Sequence, residues 1–205
     1  MTSAEELLSA LRSRRSVRRF TSDPVARETI ERLIELAAWA PSAGNRQDWF
    51  FTVVTAPALK ERMADVVRRR WDAIVSASKD SALGEELARY AATFAGFAAA
   101  PVVIAVSARK VSGFETRLMG EVAHAASGSY ASAAMAAQNL MLAAHALGLG
   151  SCCMTGAVAA RDEIAALLDL GRKHELVCLV AVGVPAETPR APARKPVTEI
   201  TRFLE

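Results

Sequence analysis

Over residues 122–160 the chain carries no Asp, Glu, Lys or Arg, and this stretch limits the available folds more than any other feature. A run that long without charge is expected to be buried, against protein or against lipid. Lipid is excluded by Ser127, Ser129, Ser132, Gln138, Asn139 and His145, which leave no window of about 18 consecutive apolar residues. A buried helix over 129–146 is therefore expected, and in a chain of 205 residues such a helix also suits an oligomer interface. A hydrophobic share of 52% is enough to fill a core, while 11 Gly and 8 Pro are too few for a collagen-like or linker-dominated chain.

Around that helix, strand-like and helical patterns alternate. Ser3 and Glu6 form an S-x-x-E capping pattern ahead of Leu7, Leu8 and Leu11, which predicts a short amphipathic helix over 4–13. A second helix carries Ile30, Leu33, Ile34, Ala37 and Ala38 on one face and is expected to stop at Pro41. Pro57 opens a third with Leu59, Met63, Val66 and Val67, and helical patterns recur over 83–98 and 161–168. Runs 49–55, 101–107 and 176–184 read as buried strands. No Pro/Gly/Ser-rich linker or internal repeat divides the chain, so one α/β or α+β domain over 1–205 is expected. The tail 185–205 holds Pro185, Pro189, Pro192 and Pro196, which suits an extended arm lying on a surface or on a partner subunit.

Several classes of function are disfavoured at this level. The three cysteines are odd in number, with Cys152 and Cys153 adjacent and Cys178 in an apolar run, so no disulfide framework is expected. No apolar signal segment follows Glu5 and Glu6, and a reducing cytoplasm is the expected compartment. The cysteines lack C-x-x-C spacing and His124, His145 and His174 show no ligand spacing to them, so no metal site is expected. Nothing beside Cys152 or Cys153 promises a thiolate, and core filling is the simpler role. Net charge is +3, and the excess sits in Arg12, Arg14, Arg15, Arg18 and Arg19. Without aromatic interleaving or a reading module, this does not define a nucleic-acid binder.

Three segments have residues suited to chemistry. Arg14-Arg15-Ser16-Val17-Arg18 offers guanidinium forks and a hydroxyl, the donor set for a phosphate monoester, although a solvated basic turn has the same composition. Ala40 to Trp49 combines small residues with the amides of Asn45 and Gln47, which suits a planar heterocycle; a proline-stopped helix with an Asn/Gly turn looks the same. Gly148-Leu149-Gly150-Ser151-Cys152-Cys153-Met154-Thr155-Gly156 superficially matches G-x-G-x-x-G. It follows a helix rather than a strand and has Cys153 in place of the third glycine, so a Rossmann site is rejected. Its small residues still suit backbone amides presented to a ligand.

Taken in order, R-R-S-V-R, A-P-S-A-G-N-R-Q-x-W, G-L-G-S-C-C-M-T-G and V-G-V-P-A-E-T-P resemble the FMN-dependent nitroreductase family, nearly end to end. The resemblance implies a mixed, mostly antiparallel sheet flanked by helices with an extended C-terminal arm. It also implies an intertwined homodimer with FMN at the subunit interface. Arg14, Arg15, Ser16, Arg18 and Arg194 would hold the flavin phosphate and ribityl chain. Ser42, Ala43, Gly44, Asn45 and Gln47 would come from the other subunit, with Asn45 and Gln47 close to the flavin. The Met154, Thr155 and Gly156 backbone would approach the ring's N5 side. Two departures stand out: Asp48 replaces a usual proline, placing a carboxylate that would disfavour an anionic reduced flavin, and Pro192 stands where some relatives have lysine. The latter shifts phosphate anchoring toward the N-terminal arginines.

The activity so implied is NADH- or NADPH-dependent, ping-pong reduction of nitroaromatics, quinones or a related small-molecule electron acceptor. No obligatory catalytic side chain is nominated, because a flavin carries the hard chemistry. Reductive dehalogenases and a flavin-cleaving enzyme of cobamide synthesis share this fold and differ in lid segments not recognisable between Trp71 and Tyr90. A non-enzymatic protein binding RNA or phosphoproteins through the arginines is the rival from another class.

Overall fold

The computed structural model describes residues 3–78, 82–123 and 127–204. Four strands form one sheet: β1 (Trp49–Val54), β2 (Val102–Arg109), β3 (Gly150–Met154) and β4 (His174–Gly183), in the order β1-β2-β4-β3. Every pairing between them is antiparallel. The parallel component of the expected mixed sheet reduces, among the described residues, to a single bridge between Ser16 and Ser151.

The central position of β2 and β4 follows from their composition. Apart from Arg109 and His174 at their ends, neither strand has a residue that reaches water. A strand that is apolar on both faces needs a helical layer on each. Period-two alternation sends Val102, Ile104, Val106 and Ala108 to one side, against Ile30 and Leu33 of α2 (Arg27–Ala37) and Ala133, Ala137 and Leu140 of the helix Ser129–Ala146. Val103 and Ala105 face the other side, against Met63 and Val67 of the helix Pro57–Ala77. The result is an α+β sandwich of three layers.

The remaining helices complete a set of α1 (Ser3–Ser13), α2, α3 (Pro57–Ala77), α4 (Ala82–Ala91), α5 (Gly113–Met119), α6 (Ser129–Ala146), α7 (Arg161–Leu167) and the single turn α8 (Val197–Ile200). The capping contact expected of Ser3 lies outside the described side chains. α6 fulfils the expectation for the charge-free run: Ala133, Ala136, Ala144 and Leu140 are completely buried. It ends in a Schellman turn, with Leu149 N–H on Ala144 O at 2.8 Å, Gly148 N–H on His145 O at 3.1 Å, and Gly148 at φ 76°.

The structure departs from the sequence expectations at several points. The amides of Gly148 and Leu149 are spent on that turn and are not offered to a ligand. The following residues form β3, because Ser151 and Cys152 pair with Val182 and Ala181. α2 ends at Ala37, ahead of Pro41, and α4 gives way at Ala91 to a turn before the short 3₁₀ segment Gly96–Ala99. α5 was not expected. It begins with a full capping box, in which Ser112 Oγ accepts Glu115 N–H at 3.1 Å and Glu115 Oε2 accepts Ser112 N–H at 2.7 Å.

Candidate functional site

The segment 14–18 lies along the free edge of β3. Val17 N–H donates to Ser151 O at 3.0 Å, and Val17 is buried at 7% exposure. Gly150 permits this approach, since a Cβ there would stand 2.8 Å from the Val17 Cβ. With Val17 turned inward, Arg14, Ser16 and Arg18 are left at the rim of a groove.

The C-terminal arm closes that groove. Phe20 bridges Pro185, Thr21 N–H donates to Val184 O at 2.9 Å, and Ala186 N–H donates to Arg19 O at 2.9 Å. Glu187 then fastens both segments: its Oε1 accepts the N–H of Arg18 at 2.6 Å and of Arg19 at 3.0 Å, and its Oε2 accepts Arg19 Nε at 3.1 Å. The hydrogen bond from the Arg18 amide is the main reason its carboxyl is held below the usual range. Glu187 lies in the V-G-V-P-A-E-T-P segment, yet its role as a clamp emerges only from the fold.

Between the two segments lies a cavity of about 280 Å³ lined by Arg14, Arg15, Ser16, Arg18, Pro189, Arg190, Pro192 and Arg194. Five of the eight lining residues are arginines and none is acidic. Arg14 Nη1 is buried without a hydrogen-bond partner, and so is Oγ of Ser151, the residue that Ser16 bridges. A buried guanidinium nitrogen with no acceptor is costly, about 1–3 kcal/mol or more for a charged group. An anion accepting from Arg14 would remove that cost, so these residues fit a phosphate monoester. Arg190 was not foreseen. It flanks Pro192 on one side as Arg194 does on the other, so the arm supplies two cations to the cavity lining.

The other expected residues lie elsewhere in the chain. Ser42, Ala43, Gly44, Asn45 and Gln47 do not line the arginine cavity; they form a loop over the N-terminus of α6. Ala43 N–H donates to Ser132 Oγ at 3.2 Å and Gln47 N–H to Ser42 Oγ at 3.1 Å. Gly44, Asn45 and Gln47 adopt φ of 58°, 51° and 50°. For Asn45 and Gln47 that left-handed backbone stores roughly 1 kcal/mol or more each, persisting only where neighbours over-determine it. Both side chains are exposed and meet each other, Gln47 Nε2 donating to Asn45 Oδ1 at 3.3 Å.

Met154, Thr155 and Gly156 close β3, three residues and about 10 Å beyond the strand position that Ser16 bridges. Gly156 O accepts the Trp71 indole N–H at 2.8 Å, and the Phe94 ring lies where a Gly156 Cβ would stand, at 2.2 Å. Trp71 and Phe94 stack at 4.6 Å, with Tyr90 beyond at 5.9 Å. A second cavity of about 500 Å³, lined by Arg18, Glu86, Arg89, Tyr90 and Thr93, adjoins the first at Arg18.

Asp48 lies within a network of donors. Its Oδ2 accepts Ser129 Oγ–H at 2.8 Å, Arg46 Nε–H at 2.9 Å and Arg109 Nε–H at 3.4 Å. Burial opposes its charge most strongly, but the bonds from Ser129, Arg109 and Arg46 together hold its carboxyl below the ordinary value. Two guanidiniums thus offset the charge of the Asp48 carboxylate.

The remaining candidates are structural. All three cysteines are free thiols. Burial raises the Cys152 pKa despite nearby Arg18 and Arg14, while the bond to Cys153 together with burial raises that of Cys178. His145 pairs with Ser13 Oγ at 2.7 Å, His174 stacks on Phe50 at 5.2 Å, and His124 lies outside the described residues. Among the described residues no cluster of metal-ligating side chains occurs and no helix is long and apolar enough to cross a membrane.

This combination, an antiparallel sheet whose edge carries an arginine-lined anion cavity, places the chain in a known class. The Nitroreductase family profile matches residues 11–184, and the chain belongs to that family. Among relatives, it is 31% identical to the 5,6-dimethylbenzimidazole synthase of Rhodospirillum rubrum over 192 residues, covering 93% of this chain and 84% of the other. Among solved structures, a BluB-like flavoprotein from Clostridium difficile 630 superposes with TM-score 0.83 at 27% identity, both chains covered completely. A nitroreductase with bound FMN from Desulfitobacterium hafniense DCB-2 shares the fold at TM-score 0.73 and 21% identity, again over both whole chains.

Proposed function

We propose that this chain is an FMN-dependent oxidoreductase that takes reducing equivalents from NADH or NADPH and passes them to a nitroaromatic, a quinone or a related small electrophile. The observation that carries the reading is a cavity lined by five arginines and no acidic residue, a donor set suited to a phosphate dianion, with Arg14 holding a buried Nη1 that has no hydrogen-bond partner. When bound, FMN supplies the hydride chemistry at its ring. The chain's own residues have positioning tasks: Arg14, Arg15, Ser16, Arg18 and Arg194, with Arg190, anchor the phosphate end. The roughly 10 Å from the Ser16 bridge to Met154 along β3 is the scale of a five-carbon chain together with its ring nitrogen and phosphate ester, so Met154, Thr155 and Gly156 would meet the ring end. Trp71, Phe94 and Tyr90 exclude water beside Gly156, and the adjoining cavity around Arg89 and Tyr90 receives the exchanging partners.

Ser42–Gln47 completes the site from a second copy, which makes the active unit a homodimer. Its exposed side chains and its absence from the arginine cavity of its own chain support this. A single domain over 1–205 fits one sheet and its two helical layers. A second reading, in which the bound flavin is itself consumed, is favoured by the likeness to the R. rubrum synthase.

The deciding experiment is reconstitution of purified protein with FMN, followed by NAD(P)H oxidation under anaerobic and aerobic conditions. A yellow protein with parallel-line kinetics against the acceptor supports the oxidoreductase; loss of flavin absorbance in air supports the second reading. Replacing Arg14 and Arg15 by Ala is expected to weaken FMN binding about a hundredfold, at ~1.4 kcal/mol per arginine bond, while the apoprotein stays folded. Unchanged affinity in that variant rules out the arginine cavity as the phosphate site.

A further inference from the structure

We infer that Asp48 is a positioning residue for the flavin-facing loop, holding Asn45 and Gln47 in their left-handed backbone through a clasp that ties four elements together. The inference rests on the proposal that this loop meets FMN. Its basis lies in the geometry around one oxygen. Asp48 Oδ2 receives Ser129 at the N-terminus of α6, Arg109 at the end of β2 and Arg46 from the loop itself. Arg109 continues the chain of contacts, donating through Nη2 and Nη1 to Glu115 of α5 at 2.8 and 3.0 Å. Arg46 has a second anchor on the carbonyl of Ser127. The Asp48 backbone also takes part, its carbonyl accepting Arg109 N–H at 2.9 Å.

The location of this clasp gives it its consequence. Gln47, at φ 50°, directly precedes Asp48, and Asn45, at φ 51°, directly precedes Arg46. Each strained residue is thus followed by one whose side chain is fixed in the network. Within the loop itself, Asn45 N–H donates to Ser42 O at 3.0 Å, Arg46 N–H to Ala43 O at 3.2 Å and Gln47 N–H to Ser42 Oγ at 3.1 Å, while Ala43 N–H ties the loop to Ser132 Oγ of α6 at 3.2 Å. Removing the Asp48 charge leaves Arg46 and Arg109 facing each other without their shared acceptor, and the loop loses the tie that fixes its C-terminal end to α6 and β2, so its left-handed residues are held less firmly. Ion pairing thus holds the chain at Asp48, with Arg109 extending control to α5.

The test compares wild type with Asp48→Asn, Arg109→Gln and the double variant, each as the full chain titrated with FMN. Asp48→Asn is expected to raise the Kd for FMN about tenfold, the worth of one charge-assisted bond. The double variant is expected to lose no more than the worse single one, since both act through one contact. With FMN saturating, the visible circular dichroism of bound flavin is expected to change in Asp48→Asn, because the ring's neighbours have moved. In the apoprotein, amide exchange over residues 43–47 is expected to accelerate in the same variants. Wild-type Kd and wild-type flavin dichroism in Asp48→Asn overturn the inference, as does a lowered melting temperature with no change at residues 43–47. If Asp48→Asn does not fold, Ser129→Ala removes a single donor and is read in the same way. Failure of wild type to bind FMN overturns the functional proposal instead, and the exchange measurement still judges the clasp.

Discussion

At the residue scale, the structure separates polar atoms that await a ligand from those that simply lack a partner. Arg14 Nη1 is assigned to the first group because its residue lines the arginine cavity. Thr52 Oγ1 and Ser107 Oγ belong to the second, buried in β1 and β2 with no acceptor or donor in reach. Thr52→Val keeps the shape and removes an orphan hydroxyl, so chemical denaturation is expected to show about 1 kcal/mol of added stability with no effect on FMN binding. The opposite sign is expected at Gly156. Its missing Cβ leaves room for the Phe94 ring, so Gly156→Ala forces apart the Trp71–Phe94 stack and is expected to cost about 1–3 kcal/mol, read as a lower denaturation midpoint. Glycine at 156 was visible in the sequence as part of a small-residue motif; the ring it accommodates comes from 62 residues earlier in the chain and was not.

At the element scale, the long apolar patterns were legible and the short elements were not. α6 matches its expected span because neither its buried face nor the face left open by Tyr130, Ala134, Met135 and Gln138 carries a charge. β3 escaped notice because Gly150 to Met154 is short, rich in small residues, and stabilised by its neighbour β4 rather than by β-propensity. α5 did leave a signal, the S-x-x-E of Ser112 and Glu115, of the same kind read at Ser3 and Glu6. The clasp that joins α5 to β2 and α6 predicts a pH dependence. Asp48 has a lower pKa folded than unfolded, so its contribution to stability is complete above the ordinary carboxylate value, about 3.9, and is lost as pH falls through the folded value. The melting-temperature gap between wild type and Asp48→Asn is therefore expected to be constant above about pH 5 and to shrink below about pH 4.

At the scale of the whole molecule, the unresolved feature of the isolated chain is its apolar surface. Trp39 is 80% exposed, as is Phe203, with Leu204 at 81%. Ile200 and Val197 of α8 and Leu7, Leu8 and Leu11 of α1 are exposed as well. Arms and helix faces of this kind rarely stay in water. Native mass spectrometry is expected to give twice the mass of one chain, and truncation after Pro196 is expected to weaken that assembly; a monomer at micromolar concentration would remove the second copy from the proposed site.

The sequence alone determined the class of fold, the buried helix and the chemical character of the two segments richest in arginine and small polar residues. Composition and period carry that information locally: charge cannot be buried unpaired, and apolar faces repeat with the element that hides them. Only the tertiary structure decided which groups meet. It brought Arg190 and Glu187 to the N-terminal arginines across about 170 residues, set Asp48 among three donors, and left Arg14 Nη1 without an acceptor. Such encounters depend on how the arm and the β3 edge pack, and packing is a property of the assembled layers rather than of any stretch of chain.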